Sequence, residues 1–124
     1  MLFLDTSAVI ELFKGNENGK KILDLINNDK ICITVFTVYE LYFGIKDSEL
    51  NKLTEFFDSV EVIPFMFHTA RKAAGIKKEL KNKGSIIEEI DILIATTCLY
   101  YKGKLITLDK DFKNIKNLDL ILIK

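Results

Sequence analysis

The feature that most constrains the fold is an alternation of short apolar runs with longer segments of helical periodicity. The runs MLFLD, ICIT, VEVIP, KLITL and NLDLILI have the length and apolar character of buried strands. Strands separated by helices pair in parallel, with helices packed on both faces of the sheet. We therefore expect an α/β fold in three layers, α/β/α, with a mostly parallel central sheet of four to five strands.

The segments between these strands show apolar residues at helical spacing. They predict helices over residues 7–14, 17–28, 37–46, 48–58, 66–82 and 86–101, and a short helical turn over 111–115. The third helix reads as buried nearly all round. Ser48 is expected to cap the fourth helix, Gly84 to close the fifth, and Ser85 with Glu88 to form a capping box.

The length of 124 residues fits a single domain, 1–124, and 48% apolar residues are enough for one core. The N-terminal apolar run has no basic leader and meets Asp5 after four residues, which suits neither a signal peptide nor a membrane helix. We expect a cytoplasmic protein with no membrane partner. Cys32 and Cys98 lack metal-ligand spacing and are expected to be buried.

The charges balance, with 18 basic and 18 acidic residues, so no global positive field indicates a nucleic-acid partner. A balanced total can hide a segregated distribution. Residues 71–83 hold six cations against Glu79 alone. Two interpretations stay open for this segment: a solvated helix face, which we favour because charge runs usually are one, and a phosphate-contacting rim beside an acidic site.

Two carboxylates close predicted strands, Asp5 after MLFL and Asp109 after KLITL. The carboxyl ends of parallel strands border the crevice in which such sheets bind ligands, so both side chains are expected there. Each has a structural alternative, since Asp5 suits a helix N-cap and Asp109 a turn or cap. Asp111 suits a turn even better.

Asp91 lies on an apolar stripe of its helix, with neighbours Ile87, Ile94, Ala95 and Cys98. Burying an unpaired carboxylate costs roughly several kcal/mol, so a compensating group is expected opposite it. A salt bridge is the ordinary explanation, and a metal ion is the one we prefer.

Glu40 follows Thr37 at capping-box spacing, so its carboxylate has a structural alternative at the start of the helix. The rest of that helix is apolar and aromatic. Gly44, one turn later, leaves the same face open to a ligand.

Four acids at two strand ends and on two helices indicate one acidic pocket formed by Asp5, Glu40, Asp91 and Asp109. Crowded carboxylates repel unless divalent cations neutralise them, and oxygen-only ligands favour Mg²⁺ or Mn²⁺. Thr6 and Thr107 are placed to hydrogen-bond the ligating oxygens, their alternative roles being capping and β-propensity.

Several mechanisms are excluded by what the chain lacks. His68 is the only histidine, which rules out a two-histidine ribonuclease, and we expect it to be structural. There is no G-x-S-x-G, Walker loop or G-x-G-x-x-G. Metal-assisted hydrolysis of a phosphodiester remains, with Glu40 or Asp91 as a candidate to orient the attacking water.

The segments LDTSAVIELF, TVYELYFG and DILIATTCLYYKGKLITLDKDF resemble, in order, the motifs of PIN-domain nucleases, most closely the VapC-type toxins. The resemblance spans nearly the whole chain. It implies an endoribonuclease using Mg²⁺ or Mn²⁺, commonly a homodimer inhibited by a small antitoxin. Asp5, Glu40, Asp91 and Asp109 match the family's acidic quartet, and Asp111 matches a further acidic position that is variably used. Many relatives have Asn where Asp109 stands.

Three other functions stay open. Solitary PIN domains in RNA processing share these motifs. A phosphatase with Asp5 as nucleophile needs another Asp two residues on, where Ser7 stands. A non-catalytic module would use the acidic pocket to accept a basic peptide.

Overall fold

The computed structural model describes all residues, 1–124. Five strands form one sheet in the order β3-β2-β1-β4-β5, and every neighbouring pair is parallel. The strands are β1 Leu2–Leu4, β2 Ile31–Thr34, β3 Glu61–Ile63, β4 Lys104–Thr107 and β5 Asp119–Leu122. The predicted α/β class is confirmed, and the sheet is entirely rather than mostly parallel.

Six helices connect the strands: α1 Thr6–Lys14, α2 Glu17–Ile26, α3 Val35–Gly44, α4 Leu50–Asp58, α5 Phe67–Asn82 and α6 Glu89–Tyr100. Two 3₁₀ turns, Asp47–Glu49 and Lys110–Asn114, complete the elements. None of the helices combines the length and hydropathy needed to span a bilayer.

The core lies in two clusters, one on each face of the sheet. Successive residues of β1 alternate between them, since Phe3 belongs to one cluster and Leu2 and Leu4 to the other. The Phe3 cluster includes buried residues of α5 and α6, and the opposite cluster includes buried residues of α1, α2 and α4. The expected three layers are therefore confirmed, and Cys32 and Cys98 are buried as expected.

Several predicted helix ends were wrong because a different residue makes the cap. Thr34 accepts a hydrogen bond from the Thr37 amide, so α3 begins at Val35 rather than Thr37. Ser48 does not cap α4; it lies inside a 3₁₀ turn, and α4 begins at Leu50. The second helix ends at Ile26, two residues before the predicted end.

The start of α6 and the environment of α3 also differ from expectation. The expected Ser85–Glu88 capping box was wrong, because Glu88 is the N-cap without a side-chain hydrogen bond and α6 begins at Glu89. The view of α3 as buried nearly all round was wrong too, since Tyr39 is 63% exposed and Phe43 84%. Gly84 takes a φ of +75° after α5, as expected for a glycine that ends a helix.

The strand order positions the site. From β1 the chain adds β2 and β3 on one side of the sheet, then crosses over to place β4 and β5 on the other. The crevice at such a switch point, beyond the carboxyl ends of the strands, is where open parallel sheets bind ligands. Here the switch point lies between β1 and β4, the strands that Asp5 and Asp109 follow.

Candidate active site

Asp5 lies at the end of β1 and is only 3% exposed. Its Oδ1 accepts hydrogen bonds from the Ala8 amide at 2.9 Å and the Ser7 hydroxyl at 2.7 Å, so Asp5 is also the N-cap of α1. The Thr107 hydroxyl donates to Oδ2. A carboxylate oxygen has two lone pairs, so Oδ2 keeps one for a further ligand. The capping role and a ligating role are therefore compatible.

The charge on Asp5 is only partly compensated by these donors. Burial raises the pKa of this carboxyl above its ordinary value, and the hydrogen bonds from Thr107, Ser7 and Ala8 oppose the rise. The negative charge of Asp109 raises the pKa further. A cation at the free lone pair would stabilise the ionised form.

Glu40 points from α3 towards the start of α1. Its Oε1 accepts a hydrogen bond of 2.5 Å from the Thr6 hydroxyl. Because Thr34 satisfies the Thr37 amide, the capping-box interpretation of Glu40 was wrong. The carboxylate is instead held across the interface between α1 and α3.

Asp91 lies in the first turn of α6, and its residue is of intermediate exposure. Burial raises its pKa to about 7, together with the negative charges of Asp109, Asp5 and Glu40, and of Glu88 more weakly. The two ion pairs of the structure are Lys30–Glu61 and Lys77–Glu89, so the salt-bridge explanation of Asp91 was wrong.

Asp109 follows β4 and begins the 3₁₀ turn Lys110–Asn114, where its Oδ1 accepts from the Asp111 amide at 2.9 Å. The cap expected as its structural alternative is present. Its negative charge nevertheless acts on both Asp5 and Asp91. Asp111 is exposed and is not among the charges that raise the pKa of either group. The structure thus brings four acids within electrostatic reach of one another, and a ligating role for Asp111 stays a prediction.

The hydrogen bonds predicted for Thr6 and Thr107 are present, and they hold Glu40 and Asp5 respectively. Ser7 was missed as part of the site. Its hydroxyl donates to Asp5 and accepts from the Leu108 amide at 3.1 Å, which ties α1 to the end of β4. The signal in the sequence was the position of Ser7 in the first turn of the helix that Asp5 caps, where its hydroxyl lies within reach of the Asp5 carboxylate.

The donor set fits a hard divalent cation, although no group of three or more acidic, histidine or cysteine side chains is arranged to hold an ion directly. Mg²⁺ usually keeps several waters and takes one or two carboxylates, so more distant acids act through those waters. The mutual repulsion that raises the pKa of Asp91 is what such an ion would relieve. The four carboxylates therefore suit a hydrated Mg²⁺ or Mn²⁺.

Lys77 forms an ion pair of 2.5 Å with Glu89, two residues before Asp91. This contact places the C-terminal half of α5, with its run of cations, beside the first turn of α6. His68 is exposed on α5, with its ring edge-on to Phe67 at 5.7 Å between centroids. Its expected structural role is limited to that contact.

This fold and this acidic crevice define a class of protein. The model of the PIN domain family matches residues 2–118, and the chain belongs to that family. The resemblance drawn from the sequence motifs is confirmed.

The chain is similar to several VapC proteins within this family. The chain is 37% identical over 94 residues to Ribonuclease VapC3 of Methanocaldococcus jannaschii, covering 75% of this chain and 93% of that protein. It is 32% identical over 125 residues to Ribonuclease VapC2 of Rickettsia felis, covering 94% and 93%. The solved structure of VapBC2 from Rickettsia felis, bound to a DNA fragment from their promoter, is similar over the full length of both chains, with a TM-score of 0.86 and 28% identity.

Proposed function

We propose that this chain is a cytoplasmic, Mg²⁺- or Mn²⁺-dependent endoribonuclease and the toxin of a type II toxin–antitoxin pair. One observation carries the proposal. At the switch point four carboxylates that are far apart in sequence act on one another electrostatically, and no cation of the protein is paired with them: Asp5, Glu40, Asp91 and Asp109. The kinship with proteins named ribonucleases supports RNA as the substrate.

One or two of the four carboxylates would hold the ion directly, with Asp5 contributing the free lone pair of Oδ2, and the others would act through the waters of the ion. When bound, such an ion lowers the pKa of a water and stabilises the charge that develops on the phosphodiester. The hydroxyls of Thr6, Ser7 and Thr107 hold two of the carboxylates in place, as supporting hydrogen bonds do around metal ligands.

Asp91 and Glu40 are the candidates to orient and deprotonate the attacking water. In the metal-free protein the pKa of Asp91 is raised to about 7, and a bound cation would lower it, which leaves the carboxylate ionised and able to accept a proton at neutral pH. Glu40 has one oxygen, Oε2, with no hydrogen bond from the protein. That oxygen is free to accept a hydrogen bond from water.

A groove of about 310 Å³ beside Glu40 supports an antitoxin partner. Half of its lining is apolar, and the rest is Gly44 with three charged residues: Ile10, Phe13, Leu41 and Ile45, then Glu40, Glu49 and Lys14. A groove that is half apolar, with two acids and one lysine among its lining residues, suits an amphipathic segment that carries a basic residue. The structurally similar VapBC2 of Rickettsia felis supports the same kind of pairing. A short reading frame for a DNA-binding protein next to this gene would distinguish a toxin from a solitary RNA-processing nuclease.

An exposed apolar face on α3 supports a homodimer. Val35, Tyr39, Tyr42 and Phe43 are 36%, 63%, 45% and 84% exposed, and all four belong to one helix. Large apolar surface left in water marks an interaction site more often than a free surface. A second copy of the chain is the partner we assign to it.

The function is tested by incubating structured RNAs with the protein, with and without Mn²⁺. We expect metal-dependent cutting that Asp5→Asn and Asp91→Asn each abolish, while Asp24→Asn, an exposed acid on α2, cuts as the wild type does. Phosphate release from small monoesters would favour a phosphatase instead. Absence of both activities in folded protein would favour the binding module.

A further inference from the structure

Three lysines follow the candidate site directly along the chain. Lys110, Lys113 and Lys116, here called the lysine row, lie in and just after the 3₁₀ turn that Asp109 begins. All three residues are exposed. The row therefore starts one residue beyond an acid of the quartet.

The turn that carries the row is firmly anchored. Phe112 is 1% exposed and Ile115 4%, and both belong to the core cluster beneath α6. Residues three apart eclipse in a 3₁₀ helix, and with a rise of about 2 Å per residue Lys110 and Lys113 project from the same side about 6 Å apart. The anchored turn thus carries two exposed lysines on one side, directly after Asp109 in the sequence.

The charge of the row is not used within the protein. The ion pairs of the structure involve Lys30 and Lys77, and none involves the lysine row. A quartet of acids repels a polyanion such as RNA, most strongly before a cation binds. Exposed positive charges that follow Asp109 along the chain would offset that repulsion for a strand that passes over them.

We propose that the lysine row binds the phosphate backbone of the RNA strand next to the bond that is cut. This inference rests on the proposed function, because it takes RNA as the substrate. The contacts are made by flexible point charges, so they hold the strand irrespective of its sequence and weaken as salt rises. The row positions the substrate and takes no part in the bond-breaking step.

The test is binding of a labelled single-stranded RNA, followed by fluorescence anisotropy at several salt concentrations in Mg²⁺. The proteins carry Asp91→Asn to prevent cutting, alone or with Lys110→Gln and Lys113→Gln. The matched control carries Asp91→Asn with Lys30→Gln and Lys104→Gln. These two changes remove exposed charges at the amino ends of β2 and β4, whereas the site lies at the carboxyl ends of the strands.

We expect the Lys110/Lys113 variant to bind about ten-fold more weakly at 0.1 M salt, with a salt slope smaller by roughly 1.4, at roughly 0.7 per phosphate contact. The control is expected to keep the affinity and slope of its parent. Equal losses in both variants, or no loss in either, would overturn the inference.

A cleavage assay separates this inference from the proposed function. It uses protein that keeps the native Asp91, with and without Lys110→Gln and Lys113→Gln. If the row binds substrate, the Lys110/Lys113 variant shows a higher KM and an unchanged kcat. If the wild type does not cut RNA, the proposed function fails, and the anisotropy result still decides whether the row binds RNA. A fall in kcat with no change in KM or binding would overturn the positioning role.

Discussion

The Thr6 hydroxyl donates a hydrogen bond of 2.5 Å to Oε1 of Glu40, a residue 34 positions further along the chain. It connects the first turn of α1 with the middle of α3. Since Asp5 precedes Thr6 directly, the same turn also holds Asp5 through Ser7 and the Ala8 amide. One helix start thus orients two carboxylates of the quartet.

Thr6→Val is predicted to lower RNA cleavage by about 10–100-fold, the usual effect of removing a residue that supports a metal ligand. Valine keeps the shape but leaves the Glu40 carboxylate free to rotate. Thr6→Ser keeps the hydroxyl and should retain most activity. Chemical denaturation should place the unfolding free energy of the Val variant within about 1.5 kcal/mol of the wild type. Equal activity of the Val and Ser variants would contradict the role of this bond.

Asp5 combines a structural and a functional role that two substitutions separate. The amide oxygen of Asp5→Asn still accepts from the Ala8 amide, so we expect near wild-type stability. Asp5→Ala removes the N-cap and should cost about 1–2 kcal/mol of unfolding free energy in urea titrations. Both variants are expected to be inactive. An active Asn variant would show that the carboxylate charge is not needed.

The stability of the metal-free protein should depend on pH through Asp91. Its folded pKa is raised from 3.8 to about 7, so the folded state binds the proton more tightly than the unfolded state. This stabilisation is complete below about pH 4 and is lost as the pH rises through about 7.

The asparagine of Asp91→Asn is neutral at every pH in this range. In EDTA the Tm of this variant should therefore rise relative to the wild type between pH 5 and pH 8. Differential scanning fluorimetry measures the difference, with Asp24→Asn as the control that shows no such trend. A constant Tm difference across this range would mean that Asp91 is not electrostatically crowded.

Phe43→Glu is predicted to convert a dimer into a monomer, because Phe43 is 84% exposed on the apolar face of α3 and a charge there would have to be desolvated on association. Light scattering behind size exclusion gives the mass. Leu23→Glu on α2, where the leucine is 58% exposed, is the matched control and should not change the mass. A wild-type protein that has the mass of a monomer would contradict the proposed homodimer.

The strands were predictable because each is a short apolar run, and ICIT matches β2 residue for residue. Helix ends were less predictable, since they depend on which of several polar residues makes the cap. Thr34 and Thr37 are both suitable N-caps by type, and only the packed structure shows that Thr34 is used. The exposure of Phe43 was missed because a single sequence does not distinguish an apolar helix that is buried in the protein's own core from one that is covered by a partner.

The quartet was predictable from strand ends and from one acid on an apolar stripe, since parallel strands bring their carboxyl ends to one edge. The partners of each acid were harder to predict. Glu40 fitted a capping box equally well, and the contact with Thr6 depends on how α1 packs against α3. Ser7 was within reach of sequence reasoning, but its bond to the Leu108 amide spans 101 residues.

Direct titration with Mn²⁺, followed by calorimetry at pH 7.5, tests the central claim that crowded carboxylates form a divalent-cation site. We predict saturable binding to the wild type and an affinity at least about ten-fold lower for Asp91→Asn, with Asp24→Asn unchanged. Equal Mn²⁺ affinity of the wild type and Asp91→Asn, or no binding to the wild type, would contradict it.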